Sequence, residues 1–164
     1  MDTANLANML GAFAVELSDK LRGALAAAGH DVSTGAALVH LSKYPGETID
    51  HLRTPLELSH SGCVRLVDRL ETAGLVERKG ATDDARAVAV QLTRKGRDAA
   101  ELILRRREEV LAGALSTLTA KDREQLARML ARILPAEVPT GAAALRACRL
   151  CDYGACRECP LSRG

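Results

Sequence analysis

The stretch of sequence that decides the fold runs from Ser59 to Leu92 and reads SHSGCVRLVDRLETAGLVERKGATDDARAVAVQL. Ser59 suits the N-cap of a helix, because its hydroxyl can accept a backbone N–H of the first turn. Apolar side chains then recur at the i, i+3, i+4, i+7 spacing of one buried helix face, namely at Cys63, Leu66, Val67 and Leu70. Gly74 ends the predicted helix. Residues 75–78 and 87–92 predict two short strands around a polar loop, so a β-hairpin follows the helix.

Three helices are predicted upstream of this stretch. Apolar side chains recur every three or four positions in the first part of the chain, at Leu6, Leu10, Phe13, Leu17, Leu21 and Leu25. This spacing predicts one long amphipathic helix that ends near Gly29. Ser33 is the predicted N-cap of a second helix that ends at Lys43, and Thr48 is the predicted N-cap of a very short third helix.

Two more helices are predicted downstream. Thr93 begins a long helix that runs to about Leu118. Thr119 and Asp122 resemble a capping box, which predicts another helix to about Leu134. One face of that last helix is apolar, with Leu126, Met129, Leu130 and Ile133.

The predicted fold class is mainly α with a small β-hairpin. The chain has only one Phe, two Tyr and no Trp, so its core must be built from aliphatic side chains, and this composition favours helices. Pro135 and Pro139 end the helical part and set off the last residues as a separate appendix. The predicted units are an N-terminal helix at 1–30, a central region at 31–93, C-terminal helices at 94–134 and a cysteine-rich tail at 140–164.

The sequence predicts a cytoplasmic protein. No window approaches the roughly 18 consecutive apolar residues of a membrane span, and the first residues lack the basic start of a secretory signal. No Ser-His-Asp arrangement, phosphate-binding glycine loop or pair of catalytic carboxylates stands out, so we do not expect an enzyme.

A short helix, a turn, a capped helix and a hairpin together predict a winged helix-turn-helix, in which the second helix lies in the major groove of DNA. The net charge of +2 implies no such partner by itself, but residues 59–97 hold eight basic and five acidic residues, a local charge of +3. Arg65 is the best candidate for a base contact, because a guanidinium can bond guanine at two positions. Lys79 and Arg86 are expected to anchor the hairpin loop, or wing. The predicted contacts on the helix itself are Ser59, His60, Ser61, Val64, Arg65 and Arg69.

The same region resembles the MarR family of bacterial regulators. The resemblance rests on the runs 67–71 and 74–78, on Asp84 and Arg86 in the wing, and on Leu92, Thr93 and Gly96 after it. It implies a homodimeric repressor or activator whose terminal helices, 1–30 and 94–134, intertwine and whose two recognition helices read a pseudo-palindromic operator. It also implies that Asp84 orients the wing arginine through an ion pair, and a small-molecule effector is a further expectation.

Four cysteines in the tail, Cys148, Cys151, Cys156 and Cys159, form a C-x2-C-x4-C-x2-C pattern. Each C-x2-C can present two thiolates to one ion, which favours a four-sulfur zinc site. An iron–sulfur cluster is an alternative, since the last three cysteines match ferredoxin ligand spacing. A disulfide switch, with thiolates stabilised by Arg146, Arg149 and Arg157, is a third interpretation, and a tail without a sensing role is a fourth.

Other features have simpler interpretations. Cys63 lies on the buried helix face and is expected to be a small core residue. The run Arg105–Arg107 is expected to form ion pairs on a helix surface with Glu108 and Glu109. As functional alternatives, the cysteines suggest a thiol oxidoreductase, or a metal-binding interaction protein that does not bind DNA.

Overall fold

The computed structural model describes residues 2–80, 88–156 and 159–161. In these residues the chain forms seven helices and one three-stranded sheet. The elements are α1 Thr3–Ala27, α2 Val32–Lys43, β1 Glu47–Thr48, α3 Ile49–Leu56, α4 His60–Thr72, β2 Val76–Gly80, β3 Val88–Leu92, α5 Arg94–Leu115, α6 Ala120–Glu137 and α7 Ala142–Ala147. The predicted fold class is confirmed, because a mainly helical chain carries one small hairpin and ends in a cysteine-rich segment.

Capping side chains set where the helices begin. Thr48, Ser59 and Thr119 are N-caps as predicted, and each side-chain oxygen accepts a backbone N–H of the first turn. The predicted cap of α2 at Ser33 is wrong. Asp31 is the N-cap, and its carboxylate accepts a first-turn N–H at 2.7 Å. Its backbone is extended and the helix begins at the next residue, so Ser33 lies inside the first turn.

Two helix ends differ from the prediction. α5 ends earlier, where the Ser116 hydroxyl donates to the Gly113 carbonyl at 2.7 Å. α6 does not end before Pro135 but continues through it. A proline inside a helix removes one backbone donor, and here the bonding resumes directly, since the Val138 N–H donates to the Leu134 carbonyl at 2.9 Å. Pro135 therefore removes one backbone hydrogen bond from the last turn of α6 but does not end the helix.

The sheet is antiparallel with the strand order β1-β3-β2. The two hairpin strands lie where the sequence predicts them, within two residues at either end. Strand β1 was not predicted, because two residues are too few to show an alternating pattern. Val90, at the centre of β3, pairs with Glu47 on one side and with Arg78 on the other. Strand β1, which pairs with the hairpin and leads directly into α3, thus connects the hairpin to the start of α3.

A close contact at Gly96 fixes the hairpin against α5. A Cβ atom at this position would lie 1.9 Å from the carbonyl oxygen of Leu75, which leaves room for glycine alone. Beside it, the Thr93 hydroxyl donates to the Gly74 carbonyl at 2.7 Å. The end of α4, the start of β2 and the start of α5 are thereby held together.

Two helices leave apolar faces uncovered. Leu25 is the one buried residue of α1, and α6 has no buried residue. The large apolar side chains exposed on them are Leu6, Met9, Leu10, Phe13 and Val15 on α1 and Met129, Leu130 and Ile133 on α6. Among the described helices, none combines the length and the apolarity that crossing a membrane requires.

Candidate nucleic-acid interface and cysteine cluster

Helices α3 and α4 form the predicted helix-turn-helix. The turn between them contains Glu57, which has a left-handed backbone with φ 52°, and the Leu58 N–H donates to the Arg53 carbonyl at 3.1 Å. Pro55 lies in the last turn of α3 with its side chain buried, and it does not interrupt the helix. The sharp turn directs α4 away from α3 and leaves one face of α4 at the surface.

The two faces of α4 divide as the sequence predicts. The predicted core face is buried, with Cys63, Leu66, Val67 and Leu70 at most 2% exposed. Burial raises the pKa of the Cys63 thiol to about 11, which agrees with its expected role as a core residue. At the start of the helix, Ser59 accepts the Gly62 N–H at 3.1 Å and its hydroxyl lies 3.3 Å from that of Ser61.

The opposite face of α4 carries two exposed arginines. Within the described residues, Arg65 forms no ion pair or hydrogen bond, so its guanidinium is available to a partner. Arg69 has a side chain that is 66% exposed, and its ion pair with Asp31 is long at 4.0 Å. Val64 is half-buried between the two faces. Exposed ion pairs of this kind are weak, so the Arg69 guanidinium can leave Asp31 and bind a phosphate or a base. Arg65 can bind a phosphate or a base directly.

His60 differs from these arginines, because it already has a partner on α3. Its Nδ1 lies 3.1 Å from the Asp50 carboxylate. This hydrogen bond, with a second from Arg53, lowers the pKa of the Asp50 carboxyl. A phosphate that approached His60 would also approach the Asp50 charge, which makes His60 a weaker candidate for DNA contact than Arg65.

Several of the basic side chains that contribute to the local positive charge stabilise the fold through hydrogen bonds within the chain. Arg78 donates to Asp68 at 2.6 Å and also to Glu71, and these bonds raise its pKa. Lys95 donates to the Ala73 carbonyl and Arg97 to the Leu92 carbonyl, both at 2.8 Å. These cations are therefore committed to holding α4, the hairpin and α5 together.

The wing is described in part. Lys79 lies on β2, and its ammonium is 2.7 Å from the Glu77 carboxylate in an exposed pair. The predicted wing residues Asp84 and Arg86 lie outside the described residues. The wing contacts and the ion pair implied by the family resemblance therefore stay predictions.

The cysteine-rich tail packs against the rest of the chain. It forms the short helix α7, which packs against α3, and Leu150 and Tyr153 pack against the hydrophobic core. Arg146 on α7 donates to Glu57, in the turn of the helix-turn-helix, at 2.9 Å. A few apolar side chains in a polar segment were sufficient to dock it, and their spacing shows no helical or strand period that could have revealed this.

The structure brings all four tail cysteines to one place. Cys148, Cys151, Cys156 and Cys159 line a single cleft of about 480 Å³ together with Tyr44 and Tyr153. Burial, together with the neighbouring Cys151 and Cys159, raises the pKa of the Cys148 thiol to about 12. Burial likewise raises the pKa of Cys156. In the part of the chain that the structure describes, no three His, Cys, Asp or Glu side chains are already arranged around a metal position.

The arginines near these thiols differ from the expected set. Arg146 is paired with Glu57, and Arg149 donates to the Arg146 carbonyl at 2.7 Å. The pKa of Cys148 and of Cys156 is raised rather than lowered. Arg157 lies outside the described residues. Instead, Arg107 of α5 directs its guanidinium at the Cys151 sulfur, 3.9 Å away. Sequence alone could not show this contact, which joins residues 44 positions apart.

The rest of the arginine run behaves as a charged helix surface. Arg106 pairs with Glu109 at 2.9 Å as expected, whereas Arg105 pairs with Glu101, one turn earlier, at 3.8 Å. Both pairs are exposed and follow the i,i+3 and i,i+4 neighbours of a helix.

The sequence is similar to known regulators. The MarR family model matches residues 31–87. The chain is 29% identical over 86 residues to the uncharacterized HTH-type transcriptional regulator YwhA of Bacillus subtilis, which covers 52% of this chain and 62% of that protein. It is 28% identical over 112 residues to the transcriptional repressor MprA of Escherichia coli K12, covering 67% of this chain and 64% of the relative. Each match thus spans less than two thirds of the relative's own length.

The structure is similar to solved members of the same fold. A MarR family protein from Bacillus stearothermophilus superposes with a TM-score of 0.69 at 26% identity, covering 81% of this chain and 95% of the other. YusO of Bacillus subtilis gives a TM-score of 0.73 at 24% identity, over 81% of this chain and 94% of that one. A mutant MepR of S. aureus, solved bound to an oligodeoxyribonucleotide, gives 0.61 at 21% identity, over 83% and 98%.

These similarities agree with the helix-turn-helix and the hairpin described above. Residues 31–87 match the MarR family, and the chain has the winged helix-turn-helix fold of the solved proteins that it resembles.

Proposed function

We propose that the protein is a transcriptional repressor that binds double-stranded DNA as a homodimer and reads a pseudo-palindromic operator. The observation that carries this proposal is the exposed face of α4, where Arg65 has no partner among the described residues while the opposite face is firmly buried. Repression, rather than activation, is supported by the similarity to MprA and to the B. subtilis repressor MdtR, which is 29% identical over 99 residues.

In this proposal the residues of α4 have different tasks. Arg65 reads a guanine through two hydrogen bonds, and Val64 can contact a thymine methyl group. Ser59, Ser61 and Arg69 hold the helix on the phosphate backbone, helped by the N–H groups at the start of α4. Lys79 and Arg86 contact the backbone from the wing, with Asp84 orienting Arg86.

A second copy of the chain is the proposed partner of the uncovered apolar faces. Leu10 and Phe13 on α1 are 61% and 51% exposed, and Met129 and Ile133 on α6 are 51% and 49% exposed. Contiguous apolar surface of this kind is uncommon on a monomer and marks an interface. A symmetric dimer would present two α4 helices to two half-sites.

A cavity of about 190 Å³ between α1, α5 and the tail is the candidate effector site. Leu25, Ile103 and Leu150 line it, and two arginines, Arg107 and Arg149, supply its charge. An effector would change repression only through a difference in its affinity for the DNA-binding and the non-binding forms. A protein with this function acts where the DNA is, which in bacteria is the cytoplasm.

A regulator fits the chain better than the thiol oxidoreductase. C-x-x-C is a redox enzyme motif when it lies beside a βαβ pattern, whereas the first pair here follows the short helix α7. The relatives MdtR and MprA are also transcriptional repressors.

The test is the substitution Arg65→Ala, measured on a duplex selected by the wild-type protein from random DNA. We expect a loss of about 1–3 kcal/mol in binding free energy and relaxed specificity at one base pair in each half-site. Arg105→Ala is the matched control, because it removes an exposed arginine of α5 that lies outside the helix-turn-helix. Equal effects of the two substitutions would refute the proposed role of α4.

A further inference from the structure

The backbone of the tail brings the cysteines of both C-x2-C pairs to one cleft. The Cys151 N–H donates to the Cys148 carbonyl at 2.8 Å, which closes a turn around the first pair. Asp152 then accepts the N–H groups of Gly154 and Ala155, at 2.8 and 3.3 Å, and this reverses the chain before the second pair. All four thiols consequently border the same cleft.

A cation from elsewhere in the molecule is placed beside these sulfurs. Arg107 reaches from α5 to within 3.9 Å of the Cys151 sulfur, although Arg105 and Arg106 on the same helix pair with carboxylates. A guanidinium donating to sulfur is a favourable neighbour for a thiolate, since a hydrogen bond to the charged form stabilises it. Arg107 therefore places positive charge beside one of the four sulfurs, where a metal-bound thiolate would carry negative charge.

Two contacts connect this cleft to the helix-turn-helix. Arg146, at the end of α7, is hydrogen bonded to Glu57 in the turn between α3 and α4. On the other side, the ring of Tyr153 packs edge-on against Tyr44 at 5.8 Å, and Tyr44 packs against the buried His40 at 4.8 Å.

The second contact continues into the sheet. His40 lies 2.8 Å from the Glu47 carboxylate, and Glu47 pairs with the central hairpin strand β3 at Val90. These two series of contacts thus connect the tail to the turn before α4 and to the base of the wing.

We propose that Cys148, Cys151, Cys156 and Cys159 bind one zinc ion as four thiolates, and that this ion clasps the tail against the helix-turn-helix and so supports DNA binding. The second half of this proposal rests on the proposed function. Binding releases the four thiol protons to solvent without any change of oxidation state, and the site with its ion carries a charge of about −2, which Arg107 offsets in part.

The sulfurs border the cleft without yet surrounding one point, so the ion would draw them together. Two C-x2-C pairs are the usual donor set of a closed structural zinc site. When the metal is removed the thiols take up their protons again, and the metal–sulfur bonds that held the segment are lost.

The first experiment measures metal content in the full-length, untagged protein purified without oxygen. We expect roughly one zinc per chain in the wild type and none in the double variant Cys156→Ser/Cys159→Ser. Arg149→Ala is the matched control, since it alters the same segment without removing a thiol and should retain the metal. After a chelator has removed the native metal, added cobalt(II) should show the absorption bands of tetrahedral thiolate coordination. Iron with sulfide, or no metal in the wild type, would overturn the zinc site.

The second experiment measures DNA affinity with and without metal. Chelation should weaken binding to the selected duplex about tenfold, within the usual range of coupling between two sites, and added zinc should restore it. In Arg146→Ala, which keeps all four thiols but loses the contact to Glu57, the metal should still bind while its effect on DNA affinity shrinks.

The outcomes separate the proposals. Zinc bound by the wild type with equal DNA affinity in both forms would overturn the coupling and leave the metal site standing. Zinc bound without any DNA affinity in either form would overturn the proposed function and the coupling together, and the metal content alone would then support the zinc site.

Discussion

Replacing Gly96 by alanine should destabilise the protein strongly, although alanine is the better helix former. The new Cβ would lie 1.9 Å from the Leu75 carbonyl oxygen, where real Cβ atoms do not come closer than 3.0 Å, so one of the two segments must move by more than an ångström. Such overpacking costs about 1–3 kcal/mol. The shift would also strain the hydrogen bond from Thr93 to the Gly74 carbonyl, which adds about 1 kcal/mol. We therefore expect a loss of about 2–4 kcal/mol in the free energy of unfolding.

Urea unfolding at a fixed protein concentration measures this loss, and Gly113→Ala is the matched control. Gly113 lies in the same helix, α5, and a Cβ there would meet no atom within 4 Å. Its substitution should stabilise the protein by up to about 1 kcal/mol through helix propensity. If Gly96→Ala were as stable as Gly113→Ala, the contact that holds the hairpin against α5 would be refuted.

Three other predictions concern a cap, a carboxyl group and the dimer. Asp31→Ala should lower the free energy of unfolding by about 1 kcal/mol and Ser33→Ala by much less; equal losses in thermal unfolding would contradict the assignment of Asp31 as the cap. Because the pKa of Asp50 is lowered in the fold by His60, its stabilising effect is present above the unfolded-state pKa and is lost as pH falls through the folded value. Asp50→Asn should therefore flatten the acid limb of stability against pH, and an unchanged limb would argue against the pair. Leu10→Glu should convert a dimer into monomers in light scattering, whereas a wild-type monomer would contradict the proposed interface.

Local sequence signals account for most of the fold. Apolar spacing and side-chain caps placed the helices, and the buried face of α4 was correct in each residue. The error at Ser33 arose because serine and aspartate are both good caps, and the choice between them depends on which backbone is extended. Strand β1 could not be predicted, since it exists only through its pairing with β3.

The candidate site was predictable to a different degree in its two parts. The exposed arginines of α4 follow from helix periodicity, because the face opposite a buried stripe must lie at the surface. The docking of the tail does not follow from any local pattern. The contacts of Arg107 with Cys151 and of Arg146 with Glu57 join segments far apart in sequence, at separations of 44 and 89 residues, and only the packed chain brings them together.

The most direct test of the central claim is a selection of random duplex DNA by the full-length protein. The proposed function predicts enrichment of an inverted repeat whose half-sites are centred about one helical turn, or a multiple of it, apart. Affinity for this repeat should fall steeply as salt is raised. If no sequence were enriched over the starting pool, the proposal that this protein reads an operator through α4 would be contradicted.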